Sequence, residues 1–296
     1  MKVLKIGTRG SDLALAQTII LRDALSAPDL LLETHIIQTQ GDLRLDAPLG
    51  SSSPLDKGAF TKELEISLLR GEIHVAVHSL KDLPTENPPG LTVAAILPRG
   101  PTHDVLISKW PGGLEALPKN AHVATGSARR KAQILQDRPD LTVEGIRGNV
   151  PTRIRKLAET ESLAALVLAQ AGWERLQLSE KLCNPLNLHT QILEHFLPAP
   201  GQGAIAVQAR ESDSPTCRLL ASVHDPVTAE CVTAERLLLA KLGGGCHLAL
   251  GARAEKVSEG IHLQAIWFED ARQHFAEALA ADTEEVAELV FAAFLR

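Results

Sequence analysis

"VLKIGTRGSDLALAQTIILRDALS", Val3 to Ser26, sets the fold. Its first six residues are a short apolar run that reads as a strand. They lead through "RGS" into a helical pattern for which Ser11 is a plausible N-cap. A strand that feeds a helix, rather than turning back on itself, is the start of a βα unit.

The same alternation runs on for two hundred residues. "LLLETHIIQT" reads as a strand, "TKELEISLLRG" as a helix closed by Gly71, and "VAVHSL" and "LTVAAILP" as further strands. A second βα set follows: "DVLISK", "HVATGS", the helix "ARRKAQILQDR", "LTVEGIR", a helix through "TRIRKLAET", and "LAALVLAQAG". It ends at the Pro/Gly-rich "FLPAPGQGAIAVQA", which reads as a crossing between domains. The remainder reads as helix, three strands and helix, a small α+β unit. The expected division is 1–99 with 203–221, 100–202, and 222–296. Alternating strands and helices imply mostly parallel, doubly wound sheets. Two such α/β lobes make a cleft, since ligands of open α/β sheets sit beyond the carboxyl ends of the strands.

Composition narrows the function. The chain has 296 residues, 45% hydrophobic and 22% charged, as an ordinary globular protein does. A formal charge of -6 and 3% aromatic residues give no general attraction to nucleic acid and few stacking platforms for bases. No segment approaches the ~20 apolar residues of a membrane helix, and Arg9 and Asp12 interrupt any signal-peptide core. Cys183, Cys217, Cys231 and Cys246 show no CxxC or metal-ligand spacing, which argues for a reducing compartment and against a structural metal. The expectation is a cytoplasmic protein with no metal, no nucleic-acid partner and no membrane partner.

Three strand-to-helix junctions share a bias. "GTRGS" carries Arg9 and Ser11, "TGSARRK" carries Thr125, Ser127, Arg129 and Arg130, and "IRGNVPTRIRK" carries Arg147, Arg153 and Arg155. Helix N-termini bind anions, and guanidinium forks match carboxylates or phosphates. A single such arginine is more simply part of a solvated face; three junctions together point to a polyanionic ligand. In "VAVHSLKDLP", Lys81 and Asp82 stand just past a strand. Asp82 either pairs with Lys81 or, among arginines, faces a developing positive charge. His78 reads as a satisfied strand-end histidine. "GSSSPLDKG", Gly50 to Gly58, has the composition of a lid, with Lys57 able to carry charge into the cleft. "KLGGGCHLALGA" sets three glycines before Cys246, either a turn before a buried thiol or clearance around something bulky.

The stretches "TRGSDLALAQ", "KGAFTKELE", "AVHSLKDLP", "GSARRKAQIL", "IRGNVPTR", "LPAPGQGAIAV", "TAER" and "GGGCHLALGA" resemble, in order and spacing, the porphobilinogen deaminase (hydroxymethylbilane synthase) family from about Lys5 to about Ala252. The resemblance implies two periplasmic-binding-protein-like lobes and a monomer. It also implies a dipyrromethane cofactor held through a thioether to Cys246, onto which four porphobilinogen molecules are added with loss of ammonia before hydroxymethylbilane is released. On the matching positions it implies Asp82 as the catalytic acid. Cys246, Lys81, Thr125, Ser127, Arg129, Arg130 and Arg147 would hold the cofactor. Arg9, Ser11, Arg147, Arg153, Arg175, Phe60 and Gln202 would hold substrate. The chain departs from the family at Gln40 and His103, in a longer lid with one lysine, and in a glycine where an acid usually precedes the "GGC" motif. The competing reading is a non-catalytic anion-binding protein on the same scaffold. A Cys246–His247 thiol pair is disfavoured because neighbours on a strand point to opposite faces.

Overall fold

The computed structural model describes residues 2–43, 60–245, 248–269 and 272–296. Chain order gives β1 (Lys2–Thr8), α1 (Asp12–Ala24), β2 (Leu30–Ile36), a single turn α2 (Gln40–Leu43), α3 (Lys62–Leu69), β3 (Val75–Ser79) and β4 (Leu91–Ile96). A second set follows: β5 (Asp104–Ser108), β6 (His122–Ala124), α4 (Ala128–Asp137), β7 (Thr142–Glu144), α5 (Val150–Glu159), β8 (Leu163–Ala169), α6 (Gln170–Arg175) and β9 (His189–Leu193). The chain then passes through β10 (Ile205–Arg210), α7 (Ser214–Leu220), α8 (Pro226–Lys241), β11 (Ala249–Val257), β12 (Gly260–Glu269), β13 (Arg272–Ala280) and α9 (Thr283–Phe294).

These elements make two doubly wound α/β lobes and a three-stranded antiparallel sheet backed by α8 and α9. The lobe sheets run β2-β1-β3-β10-β4 and β7-β6-β8-β5-β9. In each, the fourth strand is antiparallel to both neighbours: β10 against β3 and β4, β5 against β8 and β9. Half of the pairings in the first sheet are therefore antiparallel, more than the sequence pattern suggests. The reason is connectivity. β5 and β10 are the strands that the chain enters directly after crossing from one lobe to the other, so each arrives from the cleft side. Central strands are apolar on both faces, as buried sheets require: β8 "LAALVLA" is buried along six of its seven residues and β5 along all five.

Local signals fix the helix starts. Ser11, Ser127, Asn149 and Asp225 all have extended backbones, and their side chains accept from N–H groups of the first turn of α1, α4, α5 and α8. Among the described residues no helix is long and apolar enough to cross a membrane.

The two crossings touch. Gly100 N donates to Gly203 O at 3.1 Å. Gly203 has φ +87°, and a Cβ there would lie 2.6 Å from Gly100 O and 2.8 Å from Pro101 O. Glu235, fully buried on α8, ties both crossings to the C-terminal sheet. It accepts a bidentate pair from Arg99 at 2.7 and 2.9 Å, Gly201 N at 2.7 Å and Ala254 N at 2.8 Å. Arg99 Nε donates in turn to Gln202 O.

Gly203→Ala combines a left-handed backbone with contact against two backbone oxygens that have nowhere to move. Each effect costs about 1–3 kcal/mol, so the urea midpoint should fall clearly below that of the parent protein. An unchanged midpoint would rule out the close approach.

Candidate functional site

The lobes place their junctions opposite one another. Below β3 a single 3-10 turn, Leu80–Asp82, presents Lys81 and Asp82. A small cavity beside it is lined by Arg9, Ser11, Phe60, His78, Ser79 and Asp82, among others. The Arg9 guanidinium lies 4.2 Å from the centre of the Phe60 ring, a cation–π contact on a half-exposed aromatic. Asp82 is exposed to the cleft. Opposite, Arg153 on α5 is close enough to Arg130, Arg147 and Asp82 for all three to act on its ionisation. Burial lowers its pKa first, and the two arginines lower it further against Asp82.

A residue that sequence reading missed organises the second lobe. Asp104, the first residue of β5, is fully buried. Its Oδ2 accepts from Arg129 Nη1 at 2.7 Å, and its Oδ1 accepts from Arg130 Nη2 at 2.8 Å and from Gln202 Nε2 at 2.9 Å. Burial alone would raise the carboxyl pKa; the two guanidinium groups outweigh it and hold Asp104 well below the usual carboxylate range. Arg129 and Arg130 are therefore neither a solvated helix face nor free forks. They are buried, with carbonyls of Leu197 and Val167 as further acceptors. The signal was present in the sequence as a charged residue opening the otherwise apolar strand "DVLIS".

Gln202 is the junction of the two lobes. Its amide nitrogen serves Asp104 Oδ1 and the carbonyls of Thr102 and His103, while its oxygen accepts from Lys81 Nζ at 3.4 Å. Arg175 also reaches the crossing, donating to Gly203 O at 2.6 Å. Thr125 is buried, and its hydroxyl accepts from Ser127 N at 3.3 Å. The hydroxyls of Ser11 and Ser127 cap their helices. Lys156 Nζ donates to the Arg147 carbonyl at 3.1 Å. His78 is buried at the end of β3 beside Gln208 of β10, whose side chain is close enough to act on it as a hydrogen-bond partner. Burial takes its pKa down to about 4 against the Gln208 hydrogen bond, with a smaller push from Arg9, and the ring is neutral near pH 7. Cys246 and the whole of the lid, Gly50 to Gly58 with Lys57, lie outside the described residues.

The glycines before Cys246 are described, and each has positive φ: +91° at Gly243, +63° at Gly244 and +114° at Gly245. A Cβ on Gly243 would meet nothing within 4 Å, and one on Gly244 would meet only Thr85 Oγ1, at 3.5 Å. At these two positions glycine is required by backbone conformation, not by crowding. Thr85 is three residues from Asp82, so the run leading to Cys246 passes beside the Asp82 turn.

Arg129 and Arg130 thus act on the charge of Lys81, and Arg130 and Arg147 on that of Arg153, with Asp82 and Asp104 as the opposing charges. In a chain of formal charge -6, such crowding favours a bound polyanion. Burial, then Arg130, bring the Lys81 pKa down from 10.5 to about 8. Since the folded value is the lower one, Lys81 opposes folding below pH 8. That cost is relieved as pH rises from about 8 to 10.5, while the cation available to an anion is lost. Calorimetry with a polycarboxylate such as citrate should therefore show affinity falling through pH 8, and Lys81→Gln should lack that limb. The same limb in both proteins would remove Lys81 from the anion site.

Comparison with known proteins places the chain in a family. Residues 4–218 match the family described as porphobilinogen deaminase, dipyromethane cofactor binding domain, and residues 229–292 match the porphobilinogen deaminase C-terminal domain. The porphobilinogen deaminase of Roseiflexus castenholzii is 45% identical over 85% of this chain and 81% of its own length. That of Syntrophomonas wolfei is 44% identical over 90% and 85%. Among solved structures, an arginine-specific periplasmic binding protein of Salmonella typhimurium aligns at 13% identity over 77% of this chain and 94% of its own, with a TM-score of 0.39. With both family regions in order and nine-tenths of the chain aligned to a relative at this identity, the chain belongs to the porphobilinogen deaminase family.

Proposed function

We propose that this chain joins four porphobilinogen molecules head to tail on a dipyrromethane primer carried by Cys246, with loss of ammonia at each addition, and releases hydroxymethylbilane by hydrolysis. The observation that carries the reading is the cationic cleft wall with an exposed acid, Asp82, in it. A linear chain of pyrroles bearing acetate and propionate groups needs many cations and, at its reacting ring, one anion.

The residues fit the dipyrromethane group. Its carboxylates would be met by Lys81 and Arg147, by the surplus positive charge that Arg129 and Arg130 hold around Asp104, and by the Thr125 and Ser127 hydroxyls at the start of α4. When bound, the group supplies an electron-rich pyrrole carbon to which the incoming substrate is joined. The division of labour follows from chemistry. Arg9, Ser11, Arg153 and Arg175 would orient substrate carboxylates, with Phe60 beside the ring and Lys57 reaching in from the lid. Hydrogen bonds to charged groups contribute about 1.5–3 kcal/mol each, enough for several to keep a flexible chain in register. Asp82 would accept pyrrole N–H groups and stabilise the cation left as ammonia departs. Gln202, locked between Lys81 and Asp104, would position both sides of the cleft. The non-catalytic alternative gives no role to Asp82 and is not favoured by the family match. The division into 1–99 with 203–221, 100–202 and 222–296 is supported by β10 completing the first sheet and by the separate core under β11 to β13.

Intact-mass measurement tests the primer. The purified protein should exceed its 31.8 kDa sequence mass by one dipyrromethane, and Cys246→Ala should not. An unmodified parent protein, after expression with ample porphobilinogen, would refute the reading. Asp82→Asn should retain the adduct while kcat falls about 10²- to 10³-fold; a rate within twofold of the parent would take Asp82 out of the mechanism.

A further inference from the structure

The motif "TAER", Thr233 to Arg236, is not absorbed by the anion site, although it lies on the helix that leads to the cysteine arm. Its glutamate holds the crossings, as described above. Its arginine does something different. Arg236 Nη1 donates to Leu83 O at 3.1 Å and Leu80 O at 3.3 Å, and Nη2 donates to Pro84 O at 2.5 Å. These three carbonyls bracket Lys81 and Asp82. One planar fork from the C-terminal unit therefore clasps both ends of the turn that presents the cleft acid.

We infer that Arg236 is a positioning residue for catalysis: through the Leu80, Leu83 and Pro84 carbonyls it holds the Asp82 turn in register with the unit that carries Cys246. This rests on the proposed function, with Asp82 as the reacting acid. Asp82 is exposed, so its place depends on the backbone that bears it. That backbone is held from three sides. Leu80 N donates to Ala204 O of the crossing. The Leu80 and Leu83 side chains pack with Val232 and Ala229 of α8. Arg236 closes the third side and is, among the described residues, the polar tie from α8 to the turn's carbonyls. Burial disfavours its charge, and the carbonyls offset that loss by accepting from it. The glycine run continues from the same helix and passes Thr85, so helix, arm and turn share one frame. A displacement of about 1 Å at such a turn can cost about 10²-fold in rate without touching the ligand contacts.

The test is a double-mutant cycle between Arg236→Gln and Asp82→Asn, read by single-turnover rates on adduct-bearing enzyme. Arg236→Gln alone should retain the adduct, keep KM within about threefold and lower kcat by about 10- to 100-fold. In the Asp82→Asn background it should change the residual rate less than about twofold, because the group it positions is gone. A purely structural arginine would instead lower the melting temperature and leave the rate per folded molecule unchanged, or multiply with Asp82→Asn; either result overturns the inference. Arg236→Lys, which keeps the charge but cannot span three carbonyls, should fall between the two, and it replaces Arg236→Gln in the cycle should the latter not fold. Absence of turnover or adduct in the parent protein would refute the enzyme reading itself, whereas normal turnover in Arg236→Gln would refute only the positioning role.

Discussion

The buried Asp104 carboxylate, shared by two arginines and one glutamine, is the constraint on which the cleft depends. Taking an ion out of water costs several kcal/mol, and removing one partner of a buried pair typically costs about 3–5 kcal/mol because the other charge is stranded. Here three donors surround the carboxylate, so the penalty is met by geometry that leaves little freedom. Two arginines against one acid leave a surplus positive charge fixed at the start of α4. Charge already fixed in place needs no reorganisation when an anion arrives, which is what preorganisation means in a binding or transition-state context.

The same carboxylate explains why the lobes are not independent. Asp104 sits just beyond the first crossing and Gln202 within the second, 98 positions away in sequence. Lys81, another 121 positions from Gln202, joins the chain of contacts from the first lobe. Each link is short-ranged in space and remote in sequence. The Gln202 amide is thus one of several short ties that join the anion site to the crossings between the lobes.

What the sequence made legible was local. Ser11 and Ser127 announce helices because a cap acts within three residues, and β8 announces a strand because both of its faces are apolar. The direction of β5 and β10 was illegible, since an apolar run reads the same whichever way it enters a sheet. The arginine junctions were visible as a bias, but not that Arg129 and Arg130 turn inward to Asp104, because a partner 25 residues away leaves no mark on helical periodicity. The glycine-rich segments were equally visible and equally ambiguous. Gly203 serves close approach, with a neighbouring carbonyl 2.6 Å from its missing Cβ, while Gly243 stands in open space and serves only backbone angle. Composition cannot distinguish these two uses; the chain's path does.

The joint between the lobes is polar for a reason that follows from the crossing itself. Two segments that pass each other once, pairing at Leu97 N to Ile205 O and Gly100 N to Gly203 O, leave N–H and C=O groups that no sheet or helix can take up. Glu235 receives Gly201 N, Arg99 serves Gln202 O, and Arg175 serves Gly203 O. An apolar joint would leave those backbone groups unsatisfied at a cost comparable to the hydrogen bonds lost. Charged side chains on long stems can follow the crossing through small rotations, whereas interdigitated apolar side chains resist any shift. A cleft that must accommodate a ligand of increasing length is better served by the former, and the residues at this crossing are of that kind.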